Sequence, residues 1–203
     1  MTLSKWFFAH WYETLNSVVE PKVVPHRKDT AGKCTGEILE LGAGGGLNLP
    51  YFEQNSPLTL VEPDKYMRDK LEKRISGLSN ARILADSGES LSLPNNSFDS
   101  AVSTLVLCMV DDPEKVVSEI HRVLRPGGRY FFYEHVLGDS RTGRRFQHVL
   151  NPIWKCLTTG CNLDRDIMKV IALQGFRHVS GSKFPMRIGL FPPIPNIVGW
   201  CVK

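Results

Sequence analysis

Two acids and a run of glycines are the residues of this chain whose types and spacing most directly suggest chemistry. From Ile38 to Gly46 the sequence reads ILELGAGGG, an apolar run that meets Glu40 and then glycines at alternate positions, Gly42, Gly44 and Gly46, with Ala43 inside the same turn. Glycine has no Cβ and tolerates positive φ, so such a turn passes close beneath a ligand and offers it backbone amides. The expected occupant is a nucleoside or amino-acid moiety, approached by the amides of a following helix. The dinucleotide fingerprint G-x-G-x-x-G would require a third glycine where Leu47 stands, so the pattern is E-x-G-x-G-x-G instead. Taken alone, the glycines could equally serve a tight strand-to-helix turn.

A second acid, Glu62, follows twenty residues after Gly42, in Leu60-Val61-Glu62-Pro63-Asp64. A carboxylate at the end of a second parallel strand is placed to accept hydrogen bonds from two ribose hydroxyls. Glu62 and the adjoining Pro63 are therefore candidates for the sugar.

Composition limits what surrounds these residues. A length of 203 residues, 42% hydrophobic and 23% charged, suits one globular domain. The net charge of +4 is spread along the chain, with short basic clusters at His26-Arg27-Lys28 and from Arg141 to Arg145, too little for a nucleic-acid face. Five cysteines, none in a C-x-x-C pair, read as free thiols in a reducing compartment, and no metal site is expected. No run approaches the roughly 20 apolar residues that span a bilayer. The aromatic start, with Trp6, Phe7, Phe8 and Trp11, reads as part of a helical segment over 1–36 that caps the site; peripheral contact with a membrane is the alternative.

Strand and helix signals alternate after residue 36, the pattern of a parallel sheet with crossover helices. Strands are expected at Glu37–Leu41, Leu58–Glu62, Ala81–Ala85, Ser97–Cys108 and Arg129–Val136, then near Phe176–Phe184 and Ile197–Val202. Helices are expected over Asp64–Leu78, from Asp112 with Pro113 in its first turn, and over Asp164–Gln174. Arg125-Pro126-Gly127-Gly128 reads as a turn and Phe191 to Pro195 as a loop. Residues 137–163 read as one long irregular connection and a lid over the acceptor site, within a domain spanning 37–203.

The glycine loop resembles motif I of the class I S-adenosylmethionine (SAM) dependent methyltransferases. With Glu62, the Ser97-Phe98-Asp99 entry to a buried strand and Val123-Leu124-Arg125-Pro126-Gly127-Gly128, the resemblance over residues 37–136 is to the ubiquinone and menaquinone methylating type. It implies a Rossmann-like α/β fold: a seven-stranded, mostly parallel sheet with helices on both faces and an antiparallel last strand. It also implies SAM as cofactor and S-adenosyl-L-homocysteine as product, held by Glu40, Gly42, Ala43, Gly44, Gly46, Glu62, Pro63 and Thr104. Where that family commonly has an adenine-facing aspartate this chain has Ser87, with Asp86 one place early, so Ser87 and the Gly88 backbone are the expected substitutes.

Thr104 to Cys108, Phe132 to Val136, Gln147 to Lys155, Gly160 to Arg165 and Gly199 to Lys203 narrow the likeness to the thiol S-methyltransferases of the methyltransferase-like protein seven subfamily. That resemblance implies a small thiol acceptor and a cytoplasmic enzyme peripheral on an intracellular membrane, the endoplasmic reticulum or lipid droplets. His135 is then the expected catalytic group, a neutral imidazole able to accept the thiol proton, with His148, Asn151 and Trp154 shaping the acceptor pocket. Ser103-Thr104-Leu105-Val106 stands where methylases of base or amide nitrogen resemble one another in an Asn or Asp before Pro-Pro-aromatic, which disfavours those acceptors. A C- or O-methyltransferase for a quinone or phospholipid headgroup, and a non-catalytic SAM-fold binding module, are the alternatives.

Overall fold

A computed structural model describes residues 19–158, 160–187 and 192–203. The aromatics expected to cap the site, Trp6 to Trp11, lie outside the described residues. A helix over residues 19–29 (α1) leads into β1 (Ile38–Leu41), followed by β2 (Leu58–Val61), α2 (Lys65–Ile75), β3 (Ala81–Leu84) and β4 (Phe98–Thr104). Then come α3 (Pro113–Val123), β5 (Leu124–His135), α4 (Arg141–Leu157), α5 (Ile167–Ala172), β6 (Arg177–Met186) and β7 (Ile194–Val202). The sheet order is β3-β2-β1-β4-β5-β7-β6, and β7 alone runs antiparallel to its neighbours, as the expected class I methyltransferase fold requires.

Burial on both faces explains the short apolar strands. On one side, α3 buries Val116, Val117, Ile120 and Val123 and α5 buries Ile167 and Ile171 against Leu39, Leu41, Phe132 and Tyr130. On the other, Leu71 of α2 joins Ile38, Leu60, Val102 and Phe131. Asp64, Asp112 and Asp166 cap α2, α3 and α5 by accepting a backbone N–H three residues on, which sets where each helix starts after its strand or loop.

The structure differs from the sequence-based expectations in two element boundaries and at four larger places. Strand β4 ends at Thr104 rather than Cys108, because Leu105 turns the chain at φ +58°, and α5 spans Ile167–Ala172 rather than Asp164–Gln174. The glycine loop runs not into an α-helix but into a 3-10 turn, Leu49–Tyr51, because Pro50 lacks an N–H and restricts Leu49. Residues 137–163 are not irregular: they contain the 17-residue α4, capped by Ser140, which accepts from the Gly143 amide. Gly143, Asn151 and Pro152 mask its helical periodicity in the sequence. Strand β5 continues back through Arg125 to Gly128, with a register shift opposite Phe98 to Ser100 and Gly127 at φ +82°. Finally, β7 starts at Ile194, so the proline-rich loop ends sooner; Pro195 takes part through its carbonyl, which accepts from the Val136 amide at 3.0 Å.

Candidate active site

Strand order reverses between β1 and β4, and ligands of open α/β sheets collect at the carboxyl ends of the strands beside such a switch. The glycines occupy that edge in two different roles. A Cβ on Gly42 (φ +59°) would lie 2.5 Å from Val106, and one on Gly46 (φ +83°) 2.7 Å from Leu49, so both are required by packing. A Cβ on Gly44 (φ +55°) would meet nothing nearer than 4.0 Å, and one on Gly45 nothing within 4 Å. Gly44 and Gly45 therefore border open space above β1. The amides there are not all free for a ligand: Ala43 donates to the Val61 carbonyl and Gly46 to that of Ala43.

Glu62 stands at the end of β2, only 7% exposed. Its Oε2 accepts from the Gly44 amide at 2.8 Å and its Oε1 from the Asp64 amide at 2.9 Å. Burial raises its pKa, against those two bonds. Each oxygen keeps a second lone pair, the capacity a vicinal pair of hydroxyls needs. Pro63 is exposed, and Arg68 donates to its carbonyl and to that of Glu62, holding the strand end. Beyond β3, the Ser87 hydroxyl donates to the Glu89 carboxylate, whose other oxygen accepts from the Asp111 amide. Asp86 accepts from the Ser92 amide at 2.6 Å, and Gly88 is pressed between Leu41 and Val116.

Glu40 lies on β1 beneath the loop, 2% exposed. Asn48 donates to its Oε1 at 2.7 Å and to the Thr104 hydroxyl at 3.1 Å, while the Asn48 carbonyl oxygen accepts from Arg27 of α1 at 2.7 Å. Arg27 also pairs with Glu20 at 2.8 Å. Oε2 of Glu40 is buried without any partner. Desolvation pushes the carboxyl up to about 8, against the Asn48 bond and the Arg27 charge. Arg27 and Asn48 were not among the sequence candidates; the only signal for either was the basic cluster at His26-Arg27-Lys28, which carries no spacing toward Glu40.

On the acceptor side, Leu105 turns the chain out of β4 with φ +58°, a conformation rare for such a residue. The loop it enters is held by Glu134, fully buried on β5. Glu134 accepts from the Val106 amide at 3.0 Å, the Cys108 amide at 3.3 Å and the Ser103 hydroxyl at 2.9 Å. Burial pushes its pKa up to about 7. Next to it, Tyr133 stacks under His26 (ring centroids 5.0 Å, 19°), and the Tyr133 hydroxyl and His26 Nδ1 are both buried without a hydrogen bond. Tyr133, His26 and Glu134 were missed in the sequence because nothing local marks them.

His135 is 7% exposed at the end of β5, opposite Asn196 and edge-on to Trp154 of α4 at 6.4 Å. Burial pushes its pKa down to about 4. Of the other lid residues, Asn151 accepts from the Leu163 amide, and His148 sits at the surface 2.8 Å from Asp164. A separate cleft of about 520 Å³ lies at the opposite sheet edge, lined by His121, Gly127, Gly175, His178 and Lys203. It is far from the glycine loop and at the wrong ends of the parallel strands for a cofactor.

Residues 39–132 match the family model described as a methyltransferase domain. Thiol S-methyltransferase TMT1B of Rattus norvegicus is 36% identical over 181 residues, covering 87% of this chain and 73% of that protein. Thiol S-methyltransferase TMT1A of Homo sapiens is 33% identical, covering 82% of this chain and 70% of that protein. Among solved structures, a SAM-dependent methyltransferase from Thermotoga maritima superposes with a TM-score of 0.73 at 22% identity, covering 97% of this chain and 96% of that one. Phosphoethanolamine N-methyltransferase 2 of Haemonchus contortus, in complex with SAM, gives 0.69 at 15% identity over 90% of this chain and 52% of that one.

Proposed function

The chain belongs to the class I SAM-dependent methyltransferases, and we propose that its acceptor is a small lipophilic thiol, methylated on sulfur. The observation that carries the acceptor class is the 33–38% identity, over most of the chain, to proteins named as thiol S-methyltransferases.

The residues at the switch point fit the cofactor. Glu40 Oε2, buried and unpartnered, suits the ammonium of its amino-acid end. Gly44 and Gly45 leave room for that end above Ala43, Glu62 suits the ribose hydroxyls beside Pro63, and Ser87 with Gly88 and Glu89 suits the base. Thr104 and Asn48 orient Glu40. When bound, SAM supplies a methyl group activated on a sulfonium, so the protein has mainly to align the acceptor and exclude water.

In the reaction the thiol sulfur forms the new S–C bond, the methyl–sulfonium bond breaks, and the thiol proton leaves. A thiol as acidic as a cysteine side chain, with a pKa near ~8.5, is about 3% thiolate at pH 7, enough for attack by the ionised form. His135 is a poor base for this step: at a pKa of about 4 it stands more than four units below such a thiol. We assign it instead to the neutral wall of the pocket with Trp154, and the proton to solvent. Leu105 and Val106, both half-buried, supply an apolar floor, on a loop whose Val106 and Cys108 amides Glu134 holds. We assign α1 to capping the site, since Arg27 ties it to Glu40 through Asn48.

Purified protein with methyl-labelled SAM and a panel of alkyl thiols, quinones and phospholipids tests the reading. Label is expected on thiol sulfur. Label on a quinone or headgroup with none on any thiol would overturn the acceptor class while leaving the cofactor assignment intact.

A further inference from the structure

Helix α4 is held to the fold largely through polar side chains. Among its described side chains only Gln147 is buried, and it is polar. Gln147 accepts from the Gly138 amide at 2.7 Å and donates to the carbonyls of Val136 and Leu163. Asn151 and Arg144 add bonds to the Leu163 amide and the Gly138 carbonyl. None of the described side chains of α4 enters any of the three apolar core clusters. Leu150 and Trp154 are half-buried toward the sheet, whereas three other apolar residues face outward: Phe146 is 49% exposed, Val149 74% and Ile153 61%. At i, i+3 and i+7 they form one line along the helix. They are three of the eight large apolar side chains exposed among the described residues, and Val149 is the most exposed.

Charge on the same helix is of one sign. Residues 141–157 contain Arg141, Arg144, Arg145 and Lys155 and no acid, a net +4 on 17 residues in a chain whose total is also +4. We propose that α4 docks on an anionic lipid bilayer. Phe146, Val149 and Ile153 enter the acyl boundary, and Arg145 and Arg141, on one flank of that line, meet headgroup phosphates. A single apolar ridge flanked by cations suits a bilayer, which demands only shallow insertion and opposite charge. A protein partner would need about 1,200 Å² of complementary surface, far more than three side chains provide. Residues 136–140 join α4 directly to the carboxyl end of β5, so docking sets the acceptor side of the site beside the membrane, the phase into which a lipophilic acceptor partitions.

Co-sedimentation of the full chain with vesicles tests this, using phosphatidylcholine alone and phosphatidylcholine with about a third phosphatidylserine. Binding is expected to the anionic vesicles, weakened at least about tenfold in neutral ones and by added salt. The double variant Val149→Asp, Ile153→Asp should lose that binding while keeping its melting temperature and SAM affinity, since both positions face solvent. Leu173→Asp, at a similarly exposed position just after α5 (65%), should keep it. The proposal is overturned if the native chain ignores anionic vesicles, or if the double variant still binds, which would move membrane contact elsewhere. It is equally overturned if the double variant instead abolishes a concentration-dependent dimer seen without lipid, which would make the ridge a contact between copies.

Discussion

Asn48 donates a 2.7 Å hydrogen bond to one oxygen of the Glu40 carboxyl and leaves the other buried with no partner. That half-satisfied acid is costly by itself, which is why burial lifts its pKa to about 8. An ammonium placed against Oε2 would relieve the cost.

The first prediction concerns that proton. At pH 7 a group with a pKa of about 8 is roughly 90% protonated, and a bound cation favours the carboxylate. SAM binding at pH 7 should therefore release close to one proton, read as a buffer-dependent calorimetric enthalpy. Glu40→Gln should abolish the release and weaken binding at least about tenfold. Equal release from the variant would remove Glu40 from the cofactor site.

Glycines at Gly42 and Gly45 should separate folding from binding. Gly42→Ala meets Val106 at 2.5 Å and a φ of +59°, so it should destabilise the fold by roughly 1–3 kcal/mol in chemical denaturation. Gly45→Leu projects into open space and should melt as the native chain does while losing SAM binding in calorimetry. Gly44→Val confounds the two, because its φ of +55° strains a branched side chain before any ligand is displaced. Normal SAM binding by Gly45→Leu would move the cofactor off this loop.

Glu134 should act on turnover rather than on cofactor affinity. Its two carboxyl oxygens face N–H and O–H donors from Val106, Cys108 and Ser103, and a glutamine would aim an NH₂ at one of them. Glu134→Gln should lower kcat about tenfold with the SAM Kd within about threefold. The group also has a pH signature. Its folded pKa of about 7 lies above the ordinary 4.5, so the folded chain binds more protons than the unfolded one across that window. Its contribution to stability is thus present at low pH and is lost as pH rises from 4.5 to 7. Thermal melts across that range should fall less steeply in the variant than in the native chain.

The pH–rate profile should carry no imprint of His135. With a pKa of about 4, this imidazole is neutral throughout pH 6 to 9, so kcat/KM should rise with ionisation of the acceptor thiol, up to pH ~8.5 for one as acidic as cysteine. His135→Gln should keep the same slope. An inflection near neutrality that vanishes in the variant would restore His135 as the proton acceptor.

What the sequence by itself determined is the set of features that nearest neighbours dictate. The five parallel strands, the starts of two helices at Asp64 and Asp112, the glycine turn after Glu40 and the acid at the end of β2 were all readable, because backbone sterics and apolar periodicity act over a few residues. The tertiary structure alone decided how these features are completed. Arg27, Asn48 and Glu40 come from three separate elements, and Glu134 meets the Val106 amide across 28 residues of chain. Nor could periodicity reveal that α4 turns Gln147 inward and leaves Phe146, Val149 and Ile153 outside, since an apolar line at i, i+3 and i+7 ordinarily marks a buried face. Hydrogen bonds among distant buried groups depend on where strands and helices meet in space, and that meeting is set by the packing of the whole sheet.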